Sequence, residues 1–466
     1  MKILITLAPG LCLILGSCAD PLGRSWDDPT YRSLKDRYTE RDKQSAKITS
    51  TDGATTSRLG IESLDALSLD DAIRIAIQNS PQLRRAGYQI DVAAGRVTQA
   101  GLYPNPTFIF DAEALGSEAG SGGETIYRLE QEIVLGGKTR IAKRIAQADQ
   151  LRTQIDFREE EYATASRVTK AYFAAVAARD RLACRKDLVH LADRFLDSVN
   201  TQFRAGAATD PDRLRAEVLR EQAVIDLDSA QLDAEASIRY LASAMGLDSV
   251  TDLPLTTTAE ILHHFPDRDS ILALVLERNN RITLARINIE RARLAHRLAK
   301  TEPIPNLFAS LGPRYSDIDN ETTVDLGVGI EIPFFDRNQG SIQSAFAERL
   351  SAAASLRTVE LDLRDKTTQA WSTYESCRIT TTRYQDELLP KAERTLELTR
   401  QAYELGMVDS LRYLDAQQVV IESRIASIDA LQKLHDAAAT LRELLQDDAP
   451  WLDSQNSNQP TGEVIQ

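Results

Sequence analysis

The sequence predicts a mainly α-helical protein with a small β component, built from one helix–strand–strand–helix–helix unit written twice. Three observations predict it. Apolar residues recur at heptad spacing over long stretches, four short segments alternate strictly between apolar and polar residues, and the landmarks of the first half return about 200 positions later. The composition agrees. Of 466 residues, 27% are charged and 6% aromatic, which suits long helices with solvated faces better than an aromatic-rich core. The net charge of −14 argues against a nucleic-acid partner and for a surface that attracts cations.

Residues 1–17 read as a signal peptide. Lys2 precedes an apolar run from Ile3 to Leu15, too short to span a membrane as a helix. Leu15-Gly16-Ser17-Cys18 resembles a bacterial lipobox. That resemblance implies cleavage before Cys18, lipid on Cys18 and, with Ala19 rather than Asp next, sorting to the outer membrane. An ordinary signal peptide is the plainer reading. Residues 18–66 are polar and without period, as expected of a lipidated tether. No later segment is apolar enough for a transmembrane helix.

The duplication comes next. LRRAGYQIDVAAGRVTQAGLYPNP from Leu83 returns as LARINIERARLAHRLAKTEPIPN from Leu284, and EIVLGGK from Glu132 as EIPFFDR from Glu331. Gly206 returns as Gly406. Residues 67–250 form the first repeat, 251–269 a linker, 270–446 the second repeat and 447–466 a polar tail.

In the second repeat Leu389, Ala392, Leu396, Thr399 and Tyr403 step by three and four, as do Leu431, Leu434, Ala438, Leu441 and Leu445. Both are coiled-coil seams. A helix from Thr139 to Arg204 would be ~100 Å long, and one from Gly340 to Glu404 nearly the same. Helices at 208–246 and 270–301, laid end to end, roughly match one long helix.

Strands are expected at about 106–115, 125–135, 306–315 and 323–334. Val324, Leu326, Val328, Ile330, Ile332 and Phe334 face one way, and Asp325, Gly327, Gly329 and Glu331 the other. Phe108 and Phe110 oppose Asp111 and Glu113; Tyr127, Leu129 and Ile133 oppose Arg128, Glu130 and Glu132; Leu307, Leu311 and Tyr315 oppose Ser310 and Arg314. The lengths suit transmembrane β-strands, with polar loops outside. A soluble hairpin with one wet face is the alternative. Four strands cannot close a barrel, and an open edge is not viable in lipid. Several copies must therefore pool their strands.

A duplicated unit of two strands and long helices behind a lipobox resembles the TolC-type outer membrane efflux factors, across about Leu67 to Gln446. EIVLGGKTR and EIPFFDRNQG look most like the cobalt–zinc–cadmium branch. The resemblance implies a homotrimer with a 12-stranded β-barrel in the outer membrane and a helical tunnel through the periplasm. It implies a periplasmic membrane-fusion adaptor, an inner-membrane resistance–nodulation–division pump and a passive conduit with no catalytic residue or cofactor. It places Gly206 and Gly406 at the tunnel's tips, where the family meets its adaptor. There Gly206 and Gly406 suit left-handed helix ends, Asp210 an N-cap with Pro211 first in the helix, and Ser410 the equivalent cap beside Asp409. LRYLDAQ resembles the family's gate segment, in which two carboxylates three residues apart narrow the entrance. Asp415 matches the second; Arg412 departs from the first. Three copies of Asp415 would repel one another and bind cations, whereas Arg412 on the same face could pair with it.

Gly136 and Gly137 in the first repeat, and PFFDRNQG in the second, mark strand-to-helix junctions. Pro333 would end the ladder, Asp336 or Asn338 cap the next helix, and Gly340 open it. No phosphate loop, zinc-protease or serine-hydrolase motif is present. His263 and His264 are adjacent in a loop, a weak metal signal, and a bond between Cys184 and Cys377 stays open. Three readings stand: a conduit for cation efflux, the same conduit for drugs or secreted polypeptides, and a pore-less coiled-coil lipoprotein.

Overall fold

The computed structural model describes residues 66–113, 123–206, 208–248, 255–256, 265–316 and 320–446. The signal peptide, Cys18, nearly all of the tether, His263, His264 and the tail lie outside them. The element order is α1 (Leu69–Asn79), α2 (Pro81–Ala100), β1 (Thr107–Glu113), β2 (Glu124–Ile133), α3 (Lys138–Arg204) and α4 (Asp210–Ala244). The second repeat gives α5 (Arg268–Arg278), α6 (Asn280–Thr301), β3 (Leu307–Ser316), β4 (Glu321–Ile330), α7 (Gln339–Arg383), a π turn (Tyr384–Leu388), α8 (Leu389–Glu404) and α9 (Ser410–Leu445). Among the described residues no helix is long and apolar enough to cross a membrane.

The duplicated unit is present, with three departures from the expected elements. The helix expected at 270–301 starts inside the expected linker and breaks at Asn279, as its counterpart breaks at Ser80. Each breaking residue turns its backbone out of the helical region and caps the next helix: the Ser80 hydroxyl accepts from Leu83 N, the Asn279 side chain from Arg281 N. The run expected to be one helix from Gly340 to Glu404 is interrupted by the π turn. Pro390 is the reason. It has no N–H for the Asp386 carbonyl, and its ring would strike that carbonyl in an α-helix. A wider turn just before it relieves the clash. α3 has no such proline and runs 67 residues unbroken. Finally β4 ends at Ile330, short of the expected 334, because its partner β3 begins at Leu307, opposite Ile330. Pro333 lies beyond the ladder rather than ending it.

The helices form a wall of four positions. α3 packs against α2 and α4 on one side and against α6 and α9 on the other; α7 and α8 pack beyond α6 and α9. Each position therefore holds one long rod or two short ones. Ion pairs follow the same neighbours: Arg185–Asp226 joins α3 to α4, Arg291–Asp149 joins α6 to α3, Arg181–Asp429 joins α3 to α9, Arg281–Asp362 joins α6 to α7, and Arg424–Glu393 joins α9 to α8. All are partly exposed, so each stabilises by at most ~1 kcal/mol, and their value is in setting alignment. Val218, Ile225 and Leu232 of α4 repeat at heptad spacing and stay exposed; Leu350, Leu361 and Leu398 of α7 and α8, at the opposite edge, are exposed too.

Two equivalent cores anchor the wall. In the first, Ile73 and Ala76 of α1 meet Val168 and Tyr172 of α3 and Leu241 and Met245 at the end of α4. In the second, Ile271 and Val275 of α5 meet Leu363 and Tyr374 of α7 and Leu434 and Leu441 of α9. The Tyr172 hydroxyl lies within hydrogen-bond reach of Leu67 O (2.9 Å) and Thr256 O (2.8 Å), tying two crossing segments to the core.

Candidate conduit surfaces

The four strands form one antiparallel sheet, ordered β1–β2–β3–β4. Its register stacks Phe108, Leu129, Leu311 and Leu326 in one row, and places Phe110 opposite Tyr127 and Ala309 opposite Val328. By alternation this whole face carries no charged residue, and most of its large side chains are exposed. The other face carries every charge of the strands. Arg128 pairs with Asp111 at 2.8 Å, and Arg314 bridges Glu124 at 3.0 Å and Asp325 at 2.8 Å. Alternation in the sequence separated the two faces; the cross-strand pairs needed the register. An uncharged outer face and a charged inner one is what a lipid-embedded, water-filled barrel requires. β1 and β4 both remain free edges.

Within the sheet, β2 and β3 come close at Gly312. A Cβ added there would fall on the Tyr127 carbonyl oxygen. The next residue, Pro313, has no N–H for a ladder bond, and the β2–β3 pairs resume on either side, at Ile126 opposite Arg314 and Leu129 opposite Leu311.

Both hairpin tips have left-handed glycines, Gly206 and Gly406, each at φ 74°. At the second tip, Met407 N donates to Ala402 O and Gly406 N to Tyr403 O, a Schellman close to α8. The caps fall one residue earlier than the sequence suggested. Thr209, not Asp210, is the N-cap of α4: its N–H donates to Asp212 Oδ2 at 3.0 Å and its hydroxyl to the same oxygen at 2.6 Å. These bonds hold the Asp212 carboxyl below the usual carboxylate range. Pro211 is second in the helix, and Asp210 binds Arg213, which also reaches Glu217 and lies over the Phe203 ring. Likewise Asp409 caps α9 through Arg412 N at 3.0 Å, and Ser410 is the first helical residue. In both cases the residue one position earlier has the extended backbone of a cap: Asp409 then accepts from a free helix amide, while at Thr209 the Asp212 carboxylate reaches back to the capping N–H.

The second tip is braced by Tyr403 stacked on Tyr413 (5.3 Å) and by Arg400 between Glu397 and Glu404. Hydrogen bonds from Arg400 and Gln401 lower the Glu397 carboxyl to about 2. A lowered carboxyl stabilises above its ordinary value of 4.5, and this brace weakens only as pH falls from there toward 2. Leu405 and Met407 project from the tip, exposed. Arg412 and Asp415 share a face of α9, but the expected pair between them does not form. Among the described residues neither side chain has an ion-pair partner, and both are exposed. The pairs three apart that do form at the tips, Asp210–Arg213 and Glu397–Arg400, have the acid first, whereas Arg412 precedes Asp415, the less favourable order on a helix.

At the junctions, Gly137 (φ 69°) and Asn338 (φ 58°) hold the equivalent N-cap positions, with Gly136 at φ 72° just before the first. Asn338 caps by position only. Its side chain donates to Ala299 O at 2.9 Å, holding α7 to α6, and its own N–H donates to Asp336 Oδ1. Gln339, not Gly340, opens α7. Strand ends are offset by 197 residues between repeats and helix starts by 201, so the second junction is four residues longer. Elsewhere, Cys184 and Cys377 are both free thiols. Among the described residues no group of three His, Cys, Asp or Glu is placed to hold a metal ion.

Comparison with known proteins places this geometry. The family model described as outer membrane efflux protein matches residues 72–247 and 271–446, one match to each repeat. The cobalt-zinc-cadmium resistance protein CzcC of Cupriavidus metallidurans is 24% identical over 394 residues, covering 82% of this chain and 91% of its own. The nickel-cobalt-cadmium resistance protein NccC of Alcaligenes xylosoxydans xylosoxydans is 25% identical over 320 residues, covering 65% and 69%. The crystal structure of the CmeC outer membrane channel of Campylobacter jejuni superposes with a TM-score of 0.70 at 16% identity, over 87% of this chain and 92% of that one.

Proposed function

The chain belongs to the outer membrane efflux protein family, and from that premise we propose that it forms the outer-membrane conduit of a pump expelling divalent heavy-metal cations. One observation carries the conduit: a four-stranded sheet with an uncharged face, a charged face and two free edges, continuous with a helical wall whose outer positions lie at the same edges. β1 follows α2 and β4 precedes α7, so joining β4 of one copy to β1 of the next also joins the outer helices. Three copies give twelve strands, enough for a closed barrel. The cargo assignment is supported by the resistance proteins CzcC and NccC.

The conduit does no chemistry and is not an enzyme. Its contribution is a water-filled path; an inner-membrane pump supplies energy and selectivity, and a periplasmic adaptor joins the two. The adaptor contacts are the tips, Gly206, Asp210, Pro211, Gly406 and Ser410, with Leu405 and Met407 as apolar anchors. Lipid on Cys18 holds the chain to the outer membrane. The test is a deletion strain grown on Zn²⁺, Co²⁺, Cd²⁺, Ni²⁺ and common drugs, complemented by wild type and by Cys18→Ala. Metal sensitivity rescued by wild type is expected. Sensitivity to drugs alone would remove the metal assignment and keep the conduit.

Arg412 and Asp415 form the gate. Free within the chain, they can pair between copies around the axis, closing a ring that is neutral rather than acidic. Arg412→Asp sets six carboxylates together. Like charges side by side cost on the order of 1 kcal/mol or more, so resting leak in planar bilayers should rise about tenfold. The double swap Arg412→Asp with Asp415→Arg should restore the wild-type value; a leak unchanged by the single substitution would remove both residues from the gate.

A further inference from the structure

The inner junctions of this chain form a contact whose partners recur, unpaired, at its two outer edges. Between the repeats, the turn after β2 meets the segment before β3. Asn306 donates through Nδ2 to Glu132 Oε1 at 2.6 Å, and its Oδ1 accepts from Lys138 Nζ at 3.2 Å and from Leu135 N at 3.3 Å. Ile304 packs on the same turn, where a Cβ at Gly136 would come within 3.1 Å of it.

The duplication supplies a second copy of every part. Pairing Leu83 with Leu284 puts Tyr103 at the position of Ile304 and Asn105 at that of Asn306. Pairing Glu132 with Glu331 in the sequence puts Phe334 at Leu135, Phe335 at Gly136 and Arg337 at Lys138; by helix start Lys138 matches Gln339, so Arg337 stands two residues earlier, inside the longer junction. The polar types are kept: Asn for Asn, Glu for Glu, Arg for Lys. Yet the second set is not joined within the chain. Asn105 lies before β1 and Glu331 after β4, at the two free edges and at the same end of the sheet. Among the described residues the side chains of Asn105, Glu331 and Arg337 are exposed and have no partner. The apolar parts are exposed too: Tyr103 at 66%, Phe334 at 69% and Phe335 at 89%. The four extra residues of the second junction carry the aromatic pair, held edge to face at 5.1 Å.

We propose that Asn105 of one copy binds Glu331 and Arg337 of the next, with Tyr103 seated on Phe334 and Phe335, as an intermolecular repetition of the Asn306 contact. The inference rests on the conduit reading, since it needs copies joined edge to edge. It goes further by naming the clasp at the belt between barrel and tunnel. Asn Nδ2 donates to the Glu331 carboxylate and Asn Oδ1 accepts from the Arg337 guanidinium, so both ends of the amide are used. The aromatic rings fill the space that Ile304 and Gly136 share inside the chain. This explains why the aromatic pair occurs in one repeat only. A lipid leaflet is the competing occupant, because Phe334 continues the alternation of the uncharged strand face.

The test uses the full chain with Cys184→Ser and Cys377→Ser, crosslinked in isolated outer membranes by a short bis-maleimide. Asn105→Cys with Glu331→Cys should give covalent dimers and trimers, and neither single substitution should. Asn306→Cys with Glu132→Cys should link only within a chain. In parallel, Phe335→Trp is read by quenching with brominated phospholipids, and an unquenched indole is expected. A native trimer that fails to crosslink and shows a quenched indole would overturn the clasp and assign the rings to lipid. Absence of any trimer by native mass would instead overturn the conduit reading beneath it.

Discussion

Gly312→Ala should abolish the assembled channel. The added methyl falls on the Tyr127 carbonyl oxygen, a backbone atom that no rotamer change can move aside. Ordinary overpacking costs ~1–3 kcal/mol because side chains yield; here β2 and β3 must part or slip. A slip by one residue would turn the charged set, Arg314 and Asp325 among it, toward lipid. Arginine at the bilayer midplane costs ~2–4 kcal/mol, so the slipped form cannot insert instead. The expected result is loss of the oligomer band on unheated gels with the helical signal retained, since the helical wall does not touch Gly312. Gly327→Ala is the control. Its methyl would meet only the Ser310 hydroxyl, which can rotate away, and the oligomer should survive. A stable Gly312→Ala oligomer would show that the strands are not held as described.

Gly246→Ala should be the most destabilising substitution in the helical wall. Gly246 ends α4 at φ 75°, and a Cβ there would lie 2.8 Å from Asn79 O, at the break between α1 and α2. Two costs add: ~1–2 kcal/mol for a left-handed non-glycine residue and ~1–3 kcal/mol for overpacking against backbone. Gly206→Ala and Gly406→Ala separate them, because both share the left-handed backbone with nothing within 4 Å of the added atom. They should lose only the first amount. Thermal unfolding of the detergent-solubilised protein measures all three, and equal losses would exclude the contact with Asn79.

Most of the fold was legible because the chain states it twice. Alternation sorted Asp111, Arg128, Arg314 and Asp325 from Phe108, Leu129 and Leu326 before any register was known. The two glycine turns marked the hairpin ends. What escaped were features set by one atom or one neighbour. The caps slipped from Asp210 and Ser410 to Thr209 and Asp409, since Asp, Ser and Thr all cap well and only backbone direction decides. Pro390 was visible in the sequence, but the heptads around it were regular enough to hide a π turn. The end of β4 depended on where β3 starts, which no local pattern encodes. The unpaired state of Arg412 and Asp415 was equally illegible, because spacing permits a pair without requiring one.

The two free edges have a consequence for inheritance. A ring that closes head to tail gives each subunit two different duties, one to the copy before it and one to the copy after. A subunit damaged on a single edge still joins through the other, and it takes sound copies with it. In a cell making damaged and normal subunits in equal amounts, roughly one ring in eight would be wholly normal if three join at random. Lesions in β1 or β4 should therefore behave as dominant alleles. Lesions that unfold the chain before it meets a partner, such as one in the first core, should stay recessive.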